Sequence, residues 1–284
     1  MMKIKILGSG GWEGIPAPFC NCRVCRLAKE NPNSKNFRTR PEILVETEEG
    51  KFLIEISPDI RLQSTKFNLP PIKEFLISHW HFDHMYGLLE LHAWSEFVMK
   101  EKIKLFCSEK TKEWLDRNFT HIPKEIIVIE PFEQFELYGV RITPLPLYHM
   151  FFQDKNLKEN QLKNTFGFLL EKENKKAVYL SDYFKIPKKS FELIKDTDVV
   201  IMDGTYLFSE LFPDKPEQNG LTNSEKSDSD HIHGNKILEL AKSFNAKKII
   251  FHSITHLTEK THEELQNLVP ENMFISFDGM EIKL

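Results

Sequence analysis

Short apolar runs, separated by glycine, proline or charged turns, set the rhythm of the chain. Residues 3–7 (KIKIL) alternate lysine with isoleucine and predict a strand that ends in Gly8-Ser9-Gly10-Gly11. Residues 12–41, rich in Pro, Asn and Arg, read as loop. EILVET (42–47) and FLIEI (52–56) flank Glu48-Glu49-Gly50, a hairpin signal. A short helix is expected over 59–67 and a buried strand over 74–78. Leu88, Leu89, Leu91 and Trp94 recur at helical spacing over 86–100. Strand, helix, strand follow at 103–107, 109–118 and 126–130. A strand over 134–143 leads into the proline-punctuated TPLPL of 143–147. FGFLLE (166–171) and AVYLS (177–181) flank a second hairpin turn, ENKK. Helices at 187–196, 235–244 and 259–268 alternate with strands at 198–202, 248–252 and 273–283. Residues 209–229 are mostly polar and predict a mobile loop. Hairpins early and strand–helix units late indicate layered sheets with outer helices, an α/β architecture. With no internal repeat and no Gly-Ser linker, a single domain over 1–284 is expected.

Composition narrows the class. The 284 residues are 40% hydrophobic and 28% charged, ordinary for a globular protein and unlike a disordered chain or coiled coil. The formal net charge of −4 lacks the basic footprint of a dedicated nucleic-acid binder. The 23 phenylalanines imply a bulky aromatic core. No run reaches the ~18 consecutive apolar residues of a membrane span, and the N-terminal residues lack the apolar stretch of a signal peptide. A cytoplasmic location without a membrane partner is therefore expected. Disulfides are rare there, so the cluster Cys20, Cys22 and Cys25 points to metal.

The chemistry centres on Ser78-His79-Trp80-His81-Phe82-Asp83-His84, directly after an apolar strand. Alternate side chains at a strand end share one side, so His79 and His81 can point together, with Asp83 and His84 on the turn beyond. Chance would give His-x-His-x-Asp-His in a chain of this composition on the order of one time in a thousand. Imidazole and carboxylate at this density suit zinc, iron or manganese, and two ions could be seated. Three further ligand types stand where apolar strands exit: His149 after LPLY, Asp182 after AVYLS and His252 after KIIF. Strand exits are where α/β proteins place their sites.

HxHxDH followed by a His, an Asp and a His at strand ends resembles the metallo-β-lactamase superfamily. LGSGGWEGIPAPFCNCRVC, TPLPLYH, FGFLLE, YLSD and FDGMEI are similar, over residues 5–282, to the phosphoribosyl 1,2-cyclic phosphate phosphodiesterases of the carbon–phosphorus lyase pathway. The resemblance implies a four-layer αββα sandwich and a dinuclear site of zinc or manganese. His79, His81, His149 and Asp182 would hold one ion; Asp83, His84, Asp182 and His252 would hold the other, with Asp182 bridging. The implied activity is hydrolysis of a small, cyclic phosphodiester by a metal-bridging hydroxide. Asp83 would orient the nucleophile, and His231 or Tyr206 would assist the leaving oxygen; the family carries a histidine where this chain has Tyr206. The implied partner is a small anionic phosphodiester, and a homodimer is compatible with the resemblance. Two relatives within the superfamily offer alternatives, a tRNA 3′-processing endonuclease and a pyrroloquinoline quinone biosynthesis protein. The net charge disfavours the first, and the intact HxHxDH the second.

A structural zinc on Cys20, Cys22 and Cys25 needs a fourth ligand, because structural sites are closed and tetrahedral. The resemblance implies His256 for that place, with His231 as the alternative. The family spacing is HxxH, whereas this chain has His252-x-x-x-His256, and an ungapped match would put Ser253 at the active site. Cys107 reads as a buried free thiol. Glu55 stands where the superfamily usually has Asp, with Asp59 sharing that supporting role, and Arg38 and Arg40 are candidate phosphate contacts. His92, His121 and His262 have no partner pattern and read as structural.

Overall fold

In the computed structural model, which describes residues 1–149, 163–212 and 231–284, the alternating N-terminus forms β1 (Lys3–Gly8). β2 (Glu42–Glu46) and β3 (Lys51–Ile54) make the first hairpin. β4 (Glu74–Leu76), β5 (Ile103–Cys107) and β6 (Lys124–Val128) extend it as parallel neighbours. β7 (Phe135–Leu137), β8 (Val140–Leu147), β9 (Thr165–Lys172) and β10 (Lys175–Tyr179) run antiparallel in sequence. β11 (Val199–Asp203), β12 (Lys248–His252) and β13 (Met273–Ile275) then add in parallel, and β14 (Glu281–Lys283) returns to β1. Two seven-stranded sheets result, ordered β14-β1-β2-β3-β4-β5-β6 and β13-β12-β11-β10-β9-β8-β7.

The burial pattern defines four layers. Between the sheets, Ile4, Ile6, Phe52 and Ile54 pack with Phe166, Phe168, Tyr179 and Ile201. Fully burying one such side chain contributes about 1.5–3 kcal/mol. Outside the first sheet, α2 (Ile60–Lys66), α3 (Phe82–Met85), α4 (Leu88–Ala93) and α5 (Glu109–Asn118) bury Ile60, Met85, Leu88 and Leu115 against Leu53, Phe75 and Leu105. Outside the second, α6 (Lys188–Ile194), α7 (Asn235–Ser243) and α8 (His262–Gln266) bury Ile194, Ile237, Ala241 and Leu265 against Val178, Val200 and Ile249. This is the expected αββα sandwich. No helix of the described residues is long and apolar enough to cross a membrane.

Several elements depart from the expected pattern. The stretch 12–41 is not all loop: α1 (Arg23–Glu30) forms inside it, because Val24, Cys25 and Ala28 fall on one face and pack against Ile15 and Ala17. The 86–100 helix is two pieces, α4 and a π-helical turn over Trp94–Met99 that ends where Lys100 turns left-handed. The strand expected over 134–143 is a hairpin, split by Tyr138 and Gly139 at positive φ. TPLPL belongs to β8 despite its prolines. Pro144 and Pro146 pair with Phe168 and Phe166 of β9, while β7 pairs β8 only as far as Ile142. Beyond that point β7 no longer pairs with β8; Pro144 O accepts from Phe132 N–H and Pro146 O from Ser190 Oγ–H, so the missing proline N–H groups cost no ladder bond. The 273–283 strand divides into β13 and β14, one in each sheet. A capping box of Thr261 and Glu264 starts α8 at residue 262 rather than 259. Of the polar stretch 209–229, Ser209–Leu211 form a 3₁₀ turn, and residues 213–229 lie outside the described residues.

Candidate metal centres

β10, β11 and β12 are adjacent and parallel, so their C-terminal ends open on one edge of the sandwich. Asp182 lies just past β10, and Asp203 and His252 are paired terminal residues of β11 and β12. The other sheet contributes at the same edge: Phe166 N–H donates to Ser78 O at 3.1 Å, holding the HxHxDH segment across the gap. Gly87 lets α3 settle, because a Cβ there would sit 2.1 Å from Ser57 O.

The Asp182 carboxylate is the focus. Its Oδ2 lies 3.5 Å from His84 Nε2, 3.8 Å from His231 Nε2, 3.9 Å from His79 Nε2 and 4.0 Å from His149 Nε2. Ligand atoms of His79, His81, His149 and Asp182 converge within 4.8 Å of one another, as do those of Asp83, His84 and Asp182. The outer nitrogens of His79 and His84 face partners. Ser78 Oγ meets His79 Nδ1 at 2.8 Å, and Glu55 Oε1 lies 3.2 Å from His84 Nδ1. Glu55 is itself held by Tyr179 Oη–H, at 3.1 Å, and Ser78 N–H, at 3.2 Å. Oriented imidazoles of this kind are the usual surroundings of a metal.

Electrostatics agrees with that chemistry. Burial and the neighbouring histidines hold His79 well below the ordinary imidazole range and His81 at about 3. Neutral imidazole is the ligating form. His84 goes the other way: burial opposes its charge, but Asp83, Asp182 and Glu55 outweigh it. Asp182 is held well below the carboxylate range; burial opposes this, and His84 and His231 prevail.

His252 stands at the same edge but outside the groups that converge within 4.8 Å. It is buried, and neither ring nitrogen is hydrogen-bonded among the described residues. Burial, His84 and Arg38 lower it to about 3. A buried imidazole with two unsatisfied nitrogens carries a cost that a metal bond would remove. His231 stands over Asp182 and pairs through Nδ1 with Asp203 Oδ2 at 2.6 Å. Tyr206 lies further out, its ring 5.4 Å from that of His231 and stacked at 4.2 Å on His233.

Asp203 is the residue that the reading of motifs passed over. Its Oδ1 accepts from Thr205 N–H at 2.9 Å and Thr205 Oγ–H at 2.7 Å, and its Oδ2 faces His231. The signal was present: Asp203 directly follows DVVIM as Asp182 follows AVYLS. With Nδ1 committed to Asp203, His231 presents Nε2 to the centre. Asp203→Asn is therefore expected to lower kcat about tenfold to a hundredfold while metal content is kept. Steady-state kinetics beside elemental analysis checks this.

The second cluster assembles at the N-terminal knuckle. Cys20, Cys22, Cys25 and His256 bring their ligand atoms within 4.8 Å of one another. His256 Nδ1 is 3.5 Å from both Cys20 Sγ and Cys22 Sγ, and its Nε2 faces Glu13 Oε1 at 3.9 Å. Burial pushes the Cys25 thiol up to about 12. Three thiolates so close need a cation to offset them, and three Cys with one His form a tetrahedral zinc set. His231 lies with Asp203 and Asp182 instead of with these cysteines. Cys107 is a buried free thiol on β5.

The supporting roles of Arg38 and Asp59 need correction. Arg38 is no phosphate contact: it is buried and donates to Ser9 Oγ and Ser276 O and meets His262 Nδ1. It ties the β1 exit to the C-terminal segment. Asp59 does not touch Glu55; it pairs with Arg40 Nη1 at 3.1 Å.

The beta-lactamase superfamily domain matches residues 51–263, and the chain belongs to that family. A diphosphatase of the PhnP family superposes with a TM-score of 0.78 at 23% identity, covering 100% of this chain and 98% of the other. Zinc-bound PqqB from Methylobacterium extorquens superposes with a TM-score of 0.80 at 22% identity, over 99% and 100% of the two chains. Coenzyme PQQ synthesis protein B of Acinetobacter baumannii is 25% identical over the full length of both chains. An octanoyltransferase of Porphyromonas gingivalis is 22% identical over 99% of this chain, which spans 51% of that longer protein.

Proposed function

We propose that the chain is a metal-dependent phosphodiesterase acting on a small, cyclic phosphodiester. The observation that carries this is the convergence of His79, His81, His84, His149 and His231 on the Asp182 carboxylate, with His252 buried and unsatisfied beside them. His79, His81, His149 and Asp182 would hold one divalent ion, zinc or manganese, and Asp83, His84, Asp182 and His252 the second. Two such ions supply an activated water and neutralise phosphoryl oxygens. The chain does the rest. Asp83 orients the attacking oxygen. His231, fixed through Nδ1 by Asp203, carries a proton on Nε2 and gives it to the leaving oxygen. Tyr206 stands behind His231 and steadies the ring. The group would act on a small anionic partner rather than on nucleic acid, in line with the net charge of −4.

A second reading, a coenzyme PQQ synthesis type protein, is favoured by the full-length match to that family. One turnover screen separates the two. Metal-loaded protein is offered bis(p-nitrophenyl) phosphate, ribose 1,2-cyclic phosphate, 2′,3′-cyclic nucleotides, p-nitrophenyl phosphate, a β-lactam and a glutathione thioester. Hydrolysis of phosphodiesters, with monoesters hardly touched, is expected. Equal or faster turnover of the lactam or thioester would overturn the phosphodiesterase reading, and inertness toward every ester would favour the second.

A further inference from the structure

Two aromatic side chains at the rim of the centre are left in the open. Trp12 is 61% exposed and Phe82 40%. Phe82 is the residue between His81 and Asp83. Trp12 sits on the loop after β1, which is stitched to the strand exits: Gly10 N–H donates to Thr39 O at 2.8 Å and Gly11 N–H to Ile254 O at 3.1 Å, two residues past His252. The Trp12 carbonyl accepts from Arg40 Nε at 3.2 Å, and Arg40 is itself anchored by Asp59. The Trp12 backbone is thus held in place while its indole stays exposed. The two rings meet at 6.4 Å and 81°, so they form perpendicular walls of a corner open to solvent. An aromatic side chain can bury 150–250 Å², and a ring left in water forgoes that gain. On the His231 side of the rim the aromatic faces are already engaged, Tyr206 against His233.

We propose that Trp12 and Phe82 form a stacking corner for a planar aromatic group of the substrate. The phosphodiester is then one that carries a nucleobase or an aryl ring, not a bare sugar phosphate. The planar group lies on the indole face, with its edge toward Phe82, an arrangement tolerant of ring identity because every such ring has a π-face. This deepens the phosphodiesterase reading and rests on it for the place of the phosphate, while ring binding can be measured without turnover.

Calorimetric titration of the metal-loaded protein with adenosine 5′-monophosphate, phenyl phosphate and ribose 5-phosphate tests the corner, since all three share a phosphate and only two carry a ring. The two ring compounds are expected to bind about tenfold tighter than ribose 5-phosphate, and this ratio is expected to fall to about one in Trp12→Ala. Phe82→Leu, a milder change, should reduce it part of the way. A nucleotide preferred over phenyl phosphate assigns a base, and equal preference assigns any aryl ring. Equal binding of all three by the wild-type protein, or a ring preference that survives Trp12→Ala in a folded, metal-loaded variant, overturns the proposal. Ring preference without hydrolysis of any phosphodiester keeps the corner and removes the reaction; hydrolysis without ring preference does the reverse.

Discussion

Asp182→Asn is expected to lower phosphodiester turnover about a thousandfold or more, roughly 4 kcal/mol of barrier. The substitution keeps the size of the side chain and removes its charge. That charge is what His79, His84, His149 and His231 face through their Nε2 atoms, at 3.5–4.0 Å. Both proposed ligand groups contain Asp182, so a neutral amide weakens the two sites together instead of one. It also leaves the buried His84 with Asp83 and Glu55 alone to balance it. Breaking a buried pair by removing one partner is strongly destabilising, so the variant should also melt earlier when stripped of metal. Elemental analysis and kcat, on protein whose circular dichroism is unchanged, measure the effect. A variant that keeps two ions at the centre and turns over within tenfold of wild type would mean that Asp182 is not the bridging ligand.

His256→Ala is expected to remove one zinc per chain and to lower the melting temperature by about 10 °C, with the active-site ions retained in whatever protein stays folded. Metal binding to a closed Cys₃His set is coupled to folding and contributes several kcal/mol. In a domain of this size each kcal/mol moves the midpoint by about 2–4 °C. The apolar core of the knuckle is small, with Ile15, Ala17, Val24, Cys25 and Ala28 buried. Cys22→Ser should behave in the same way. His252→Ala, by contrast, should lower kcat strongly and leave the knuckle zinc in place. If His256→Ala kept its zinc and lost its turnover, the two histidines would have to exchange roles.

Features that depend on near neighbours are legible along the chain. The period-two run of residues 3–7, the turns Glu48-Glu49-Gly50 and ENKK, and the placement of HxHxDH at a strand exit are local patterns, and strands β1 to β3, β9 and β10 form where those patterns lie. The resemblance carried by the motifs extended this to the αββα sandwich. Pairings over long sequence distances emerge only in the folded sheets. His252 and His256 are four residues apart and of one chemistry, so no local rule separates them. Parallel pairing with β11 holds His252 at the strand ends, while Ser253 turns at positive φ and the chain carries His256 to cysteines more than 230 residues earlier. Asp203 gains its role only because β11 lies beside β10 and His231 comes down beside it. The same holds where expectation failed. TPLPL is a strand because β7 is too short to need the missing N–H groups, and Arg38 is a buried tie because Ser276 and His262 close over it. A side chain's type and spacing are written along the chain, but its partners are set by which strands become neighbours, and that is a property of the folded sheets.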